Sequence, residues 1–331
     1  MMQTHRFASD TANLPLHIVL NTGSGKQNTD ELRAVIERMM ADAGRAYKLF
    51  MVERGKPVDV AARNAVDAAK SSGGAVVAAG GDGTVSAVAR AILGSGCPFG
   101  ILPQGTFNYF GRAHGIPQDA AEAVAALLAA RIEPVQVGLV NDRAFLVNAS
   151  LGLHPQMLED REAFTRQFGR SRWVAIWASI TTLFKYHRQL RISLEIQGRT
   201  HEICTPTLFV CNNSLQLEQI GIPLLHRLEQ GQLAAFILRP VGTLAMLWLL
   251  IRGAIGRLGE ARNVINFAFE TMTVRPAGFY GRRRIKVAMD GETEAFYPPI
   301  VFRISPEPIY LMKPHSSAGT EADVSDSSLK T

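Results

Sequence analysis

Short apolar runs alternate with segments of helical period through the first third of the chain. Leu16 to Leu20 is one such run, too short for a globular helix and suited to a buried strand. A small-residue turn, Asn21 to Gly25, follows it. Asn28 and Glu31 then stand three apart like a capping pair, and Leu32, Val35, Ile36, Met39 and Met40 fall on one helical face. Gly44 ends that helix. The same alternation predicts a strand at Tyr47 to Val52, a helix at Val58 to Lys70, a strand at Ala75 to Ala79, a helical run at Val85 to Leu93 and a strand at Phe99 to Leu102. Buried strands separated by helices imply a parallel sheet covered on both faces.

The pattern changes near Val135. Leu190, Ile192, Leu194 and Ile196 alternate with Arg191, Ser193, Glu195 and Gln197, the period of a strand with one wet face. Further short strands are expected at 207 to 211, 233 to 238, 264 to 269, 271 to 275, 285 to 289 and 301 to 304. Many short strands predict an antiparallel β domain. Two apolar segments interrupt them, Trp173 to Phe184 and Val241 to Ile251. Each falls short of the roughly 20 residues that a bilayer span needs.

Composition narrows the class. With 331 residues, 47% of them hydrophobic and 19% charged, a disordered, collagen-like or disulfide-stapled chain is excluded, and two domains are favoured. Three cysteines, Cys97, Cys204 and Cys211, suit a reducing compartment and do not space a zinc site. No targeting segment stands out at the N-terminus, so a cytoplasmic protein is expected. The net charge of +6 is concentrated between Arg161 and Arg191, where seven cations face one anion, with a second cluster at Arg282, Arg283, Arg284 and Lys286. These clusters read either as solvated surface or as contact with an anionic membrane; nucleic acid is not expected, because no nucleic-acid motif is present.

The chemistry is written in loops. Gly80-Gly81-Asp82-Gly83-Thr84 lies between a strand and a helix, where glycines admit a ligand to the backbone and a helix N-terminus favours an anion. An aspartate there tolerates phosphate if Mg²⁺ or its water shell stands between them. Asn21-Thr22-Gly23-Ser24-Gly25 and Pro103-Gln104-Gly105-Thr106-Phe107-Asn108 follow neighbouring strands, so all three bends gather at one sheet edge as a nucleotide cleft. Gly25-Lys26 does not complete a P-loop, and no Gly-x-Gly-x-x-Gly fingerprint occurs. Asp290-Gly291-Glu292 reads as a hairpin turn or, opposite such a cleft, as the source of a general base.

Taken in order, Asn21-x-x-Ser24-Gly25, Gly80-Gly81-Asp82-Gly83-Thr84, Pro103-x-Gly105-Thr106-x-Asn108 and Asp290-Gly291-Glu292 resemble the diacylglycerol kinase catalytic-domain family, which includes bacterial lipid kinases and the sphingosine and ceramide kinases. Asn148-Ala149-Ser150-Leu151-Gly152, in the expected first strand of the β domain, and Ile222-Pro223 followed by Gly231-x-Leu233 match as well. The resemblance covers roughly residues 14 to 314. It implies an N-terminal three-layer α/β domain like that of NAD kinases and phosphofructokinases, and a C-terminal antiparallel β-sandwich. The expected division is a flexible tail over 1–13, the nucleotide-binding domain over 14–134, the lipid-substrate sandwich over 135–306, a segment over 307–314 returning to the first domain, and a disordered tail over 315–331.

By that resemblance Asn21, Ser24, Gly25, Gly80, Gly81, Asp82, Gly83, Thr84, Gly105, Thr106 and Asn108 hold ATP and Mg²⁺, with Asp82 facing the metal directly or through water. Glu292, with Asp290 beside it, accepts the proton of a lipid hydroxyl. The expected function is an ATP-dependent lipid kinase in peripheral contact with a membrane, and a homodimer is the oligomer to test for. The alternatives are an NAD kinase and a non-catalytic nucleotide-binding regulator. Three positions depart from the family pattern: Tyr109 stands where an Asp is common, Gln230 where an Asp helps bind a structural Mg²⁺, and Met51 and Val52 where a nucleotide-contacting Thr is usual. In the Val241 to Gly259 segment, Leu244, Leu247, Trp248, Ile251 and Ile255 share a helical face, which suits a core helix or a lipid gate.

Overall fold

A computed structural model of the chain describes residues 13–23, 29–53, 55–152, 155, 189–242, 245, 248–249, 251–252, 255–277 and 284–315. Ser24, Gly25, Arg282, Arg283, the Trp173 to Phe184 stretch and the basic cluster up to Arg188 lie outside the described residues.

Strands β1 (Leu16–Asn21), β2 (Tyr47–Val52), β3 (Ala75–Gly80) and β4 (Pro98–Pro103) are parallel, in the spatial order β2-β1-β3-β4. Helices α1 (Thr29–Asp42), α2 (Asp59–Ser72) and α3 (Asp82–Ile92) connect them. Period-two alternation inside the apolar strands decides what each helix covers. Val19, Val76 and Ala78 pack with Ala62, Val66 and Ala69 of α2 and Val85, Val88 and Ile92 of α3. Leu16, Ile18, Leu20, Ala75, Val77 and Ala79 face the other way, onto Leu32, Ile36 and Met40 of α1.

Two further helices, α4 (Tyr109–Ala113) and α5 (Ala120–Leu128), follow β4. Asp119 caps α5 by accepting from the amides of Ala121 and Glu122. The sheet is then completed from afar. Strand β5 (Arg131–Val135) forms its edge, and a strand near the end of the described chain, Ile309–Lys313, inserts between β4 and β5, parallel to the first and antiparallel to the second.

The rest of the described chain forms two six-stranded antiparallel sheets packed face to face. One holds β6 (Gly138–Val140), β7 (Arg143–Phe145) and the 190–196, 199–205, 271–276 and 300–304 strands. The other holds β8 (Asn148–Gly152) and the 207–211, 233–238, 264–269, 285–289 and 292–296 strands. Phe145, Leu194, Val274 and Phe302 of the first sheet interdigitate with Leu151, Val210, Leu233 and Met289 of the second. Asn148–Gly152 is thus the third strand of this unit and not its first; the short strands β6 and β7 precede it.

The α/β core does not stop at its own sheet. Leu139, Ala144 and Leu146 pack into the same apolar cluster as Val85 and Val88 of α3. The helix that follows the glycine bend is therefore seated directly on the β-sandwich.

Candidate active site

The three glycine bends meet. The Asn21 side-chain amide donates to the Thr84 hydroxyl at 2.9 Å, and the Gln104 amide donates to the Gly80 carbonyl at 2.9 Å. Close approach fixes two glycines. A Cβ on Gly80 would lie 2.6 Å from Thr84, and one on Gly105 would lie 2.6 Å from Asn108 Oδ1 and 2.9 Å from the Gly81 Cα, so neither position has room for a side chain. Thr84 is buried and folds back over the bend, while Gly83 is exposed at the start of α3.

Asp82, the first residue of α3, points toward α4. Burial pushes its pKa above the ordinary carboxylate value, while the amides of Asn108, Phe110 and Tyr109 pull it back and the nearby Asp290 pushes it further up. Asn108 adopts a left-handed conformation with φ of 48° and is turned onto its own loop. Its Oδ1 accepts from the Gly105 amide at 2.9 Å, and its Nδ2 donates to the Gly105 carbonyl at 2.9 Å and to Gln118 at 2.8 Å. Asn108 thus shapes the loop. Gly105, Thr106 and Asn108 line a cavity of about 390 Å³ with Arg112 and Gln118.

A larger cavity, about 730 Å³, opens between α2, α3 and the sandwich. Asn21, Gly81, Gly83 and Thr84 line one side and Glu292 another, with Arg63 of α2, Arg90 of α3 and Arg143 of β7 between them. Three guanidinium groups from three elements, set against Asp59 and Glu292, favour an anion of high charge density. Arg90 Nη2 donates to Glu292 Oε2 at 3.0 Å, and Arg143 Nε donates to Glu294 at 2.9 Å. None of these arginines was marked by the sequence, because each stands alone on its element and only the fold brings them together.

The acidic hairpin separates its two carboxylates. Asp290 and Gly291 both have positive φ, 48° and 90°, the geometry of a tight two-residue hairpin turn. Asp290 is thereby turned inward. Its Oδ1 accepts from the amides of Val147 and Asn148 at 2.8 and 3.1 Å, and its Oδ2 accepts from the Leu146 amide and the Ser86 hydroxyl, both at 2.8 Å. Burial pushes its pKa up, and these four donors oppose that shift. All four strong acceptor positions are taken, so Asp290 does not stand beside Glu292 as a second proton acceptor. It ties α3 to the segment between β7 and β8. Glu292, with its side chain 61% exposed, faces the cavity.

Two groups implied by the sequence can be weighed against this geometry. A nucleotide phosphate chain fits: the α3 N-terminus, Asn21 and the arginines surround one space. For Mg²⁺ the expected ligand is Asp82 alone, directly or through water, and among the described residues no cluster of three His, Cys, Asp or Glu suited to a metal joins it. Tyr109 stands beside Asp82 and senses its charge, and Asp82 is already engaged by backbone amides. Among the described residues no helix is long and apolar enough to cross a membrane.

Residues 15–140 match the model of the diacylglycerol kinase catalytic domain. A probable lipid kinase, YegS-like, of Klebsiella pneumoniae is 32% identical over 140 residues, 42% of this chain and 46% of that protein. A protein of the same description from Pseudomonas aeruginosa is 41% identical over 132 residues, 39% of this chain and 42% of that one. The match thus spans less than half the length of these curated relatives. Among solved structures, one titled a putative diacylglycerol kinase from Bacillus anthracis superposes with a TM-score of 0.67 at 20% identity, covering 91% of this chain and 97% of that one; the likeness shows a shared fold over both units. Residues 15–140, which contain the glycine bends, are thus similar to the diacylglycerol kinase catalytic domain.

Proposed function

We propose that the protein transfers the γ-phosphoryl group of ATP to a hydroxyl of a membrane lipid such as diacylglycerol. The observation that carries this reading is the shared cavity: Glu292 of the sandwich and the Gly81 to Thr84 bend of the α/β unit line the same space. Phosphoryl transfer needs positioned phosphates, neutralised charge and a proton acceptor in line with the γ-phosphate. The α3 N-terminus and Asn21 hold the phosphate chain, with Arg63, Arg90 and Arg143 offsetting its charge. Glu292 takes the proton of the lipid hydroxyl as its oxygen bonds to the γ-phosphorus. The bond from that phosphorus to the oxygen bridging to ADP breaks, and ADP leaves with the electron pair. Mg²⁺, when bound with the nucleotide, adds charge neutralisation on the phosphates, with Asp82 the nearest acidic group of the bend; no protein step is routed through it.

The lipid side rests on the 245–255 segment. Leu249 is buried against Leu238, whereas Trp248, Ile251 and Ile255 are 57%, 47% and 61% exposed. The face expected to be either core or gate thus points outward at these three residues, and Arg252 and Arg257 are engaged by Glu260 beside it. Exposed Trp and Ile next to arginine suit the headgroup region of a bilayer.

The test is incubation with labelled ATP, Mg²⁺ and anionic vesicles containing diacylglycerol, with NAD in a parallel sample. Label in the organic phase that is lost in Glu292→Gln supports the reading. Label on NAD, or ATP binding with no transfer from a panel of hydroxyl-bearing lipids, overturns it.

A further inference from the structure

The ion pair between Arg90 and Glu292 is a contact of the cavity's arginines to which the phosphoryl-transfer reading gives no role. Gly83, Thr84, Ala87, Arg90 and Ala91 form the stripe of α3 that lines the larger cavity. From Gly83 to Arg90 is seven residues, about 10 Å along the axis. Long side chains on a helix lean toward its N-terminus, so Arg90 reaches back along this stripe toward the anion-favouring end. Its side chain is 20% exposed, and its guanidinium meets Glu292 at 3.0 Å. The guanidinium fork binds carboxylate and phosphate by the same geometry. A phosphate chain entering the cavity offers Arg90 a partner of the same kind and higher charge.

We infer that Arg90 exchanges partners: it holds Glu292 while the cavity is empty of nucleotide and turns to the phosphate chain when ATP binds, releasing Glu292 to meet the lipid hydroxyl. Arg90 is then a phosphate contact and the positioning residue of the proton acceptor. The inference rests on the phosphoryl-transfer reading and deepens it by assigning an order, nucleotide before lipid. Arg143 does not serve the same purpose, because its guanidinium is paired with Glu294 on the following register of the hairpin. Arg63 approaches from α2 and has no pairing with Glu292 among the ion pairs of the described residues.

Calorimetric titration of the full chain with MgATP, and separately with inorganic tripolyphosphate, tests the exchange in four forms: the parent, Arg90→Gln, Glu292→Gln and the double variant. The double variant has the same net charge as the parent, so long-range attraction is matched. Exchange predicts that Glu292→Gln binds both probes more tightly than the parent, because Arg90 no longer has to leave a partner. Arg90→Gln binds at least tenfold more weakly, and the double variant at least threefold more weakly. Arg90→Lys, which keeps a charge without the fork, falls between the parent and Arg90→Gln, and this intermediate value excludes misfolding as the cause of the loss. A double variant that binds as tightly as the parent overturns the exchange while leaving the phosphoryl-transfer reading intact. A parent that binds neither MgATP nor tripolyphosphate overturns both.

Discussion

Two acid-bearing turns face each other across α3, and they use their carboxylates in opposite ways. At the start of α3, the Gly81 to Thr84 bend turns Asp82 toward the amides of α4 and leaves its glycines open to the larger cavity. At the sandwich hairpin, Asp290 is sunk among four donors and its neighbour Glu292 is held out into that same cavity. In both turns the aspartate accepts from backbone amides and a different group lines the cavity: backbone on one side, a glutamate on the other. An acid spent on backbone amides gives rigidity, and an acid left half in solvent is the one that the proposed reaction needs.

The largest effect that can break this contrast is expected from Asp290→Ala. It leaves the amides of Leu146, Val147 and Asn148 without an acceptor beside the buried core. At about 1 to 3 kcal/mol for each stranded donor, partly relieved by water, the loss is on the order of 5 kcal/mol. Urea unfolding measures it. A loss under about 1 kcal/mol means that the turn holds without its carboxylate, and Asp290 then has to be reconsidered as a reacting group.

Glu292→Gln is the mirror experiment. Its ion pair with Arg90 is partly exposed, so stability falls by less than about 1 kcal/mol. Turnover falls roughly 10²- to 10⁴-fold, the usual worth of a positioned proton acceptor, or about 3 to 5 kcal/mol in the barrier. Steady-state transfer to lipid beside thermal melting separates the two quantities. Equal losses of stability and turnover would erase the distinction between the building acid and the reacting one.

The α4 side of the contrast carries its own pH signature. His114, just after α4, packs edge-on against Phe110 with ring centroids 4.7 Å apart, and burial pushes its pKa from 6.5 down to about 4. Between these values the unfolded chain binds the proton and the folded one refuses it. The contribution is therefore complete above pH 6.5 and is lost as pH falls toward 4. Its full size is about 3 kcal/mol. Asp82 and Asp290, whose values are raised, act in the opposite sense: their contribution is complete below about 3.8 and lost as pH rises through the raised values. His114→Phe isolates the imidazole. From pH 4.5 to 7 its unfolding free energy is expected to rise less, or to fall further, than the parent's, and an unchanged difference would mean that His114 is solvated in the fold.

Much of this architecture was legible in the sequence where burial is local. Strands such as Ala75–Gly80 are buried on both faces, so their apolar runs stand out, and the 3.6-residue period of Leu32, Ile36 and Met40 marks α1. The elements that escaped notice lack that signal. The 199–205 and 292–296 strands are largely polar and lie at or next to a sheet edge, and α5 is an alanine-rich helix with weak contrast between its faces. The insertion of Ile309–Lys313 beside β4 is set by pairing across some 200 residues, which no local pattern encodes; the return of 307–314 to the first domain is expected from the family resemblance alone. The same holds inside the site. The glycine bends were readable because close backbone approach demands glycine, but Asp290 and Glu292 are two acids in one tripeptide. Only the positive φ at Asp290 and Gly291 decides which is buried and which is offered.

Ser86→Ala sharpens the contrast at its finest grain. Among the described residues Ser86 is the one side-chain donor to Asp290 and the only donor that comes from α3; the other three are amides of the sandwich's own backbone. If the backbone cradle is what fixes the turn, losing the hydroxyl costs about 1 kcal/mol and leaves turnover within a few-fold of the parent, because Glu292 keeps its place. If the link to α3 matters more, stability still changes little, since apolar packing of Val85 and Val88 against Leu139 and Ala144 holds the units together, but turnover falls well beyond the stability loss. Melting and transfer rates measured on the same preparation tell the two apart. The first outcome is expected, because three amides at 2.8 to 3.1 Å already fix the carboxylate in place before the hydroxyl adds its share.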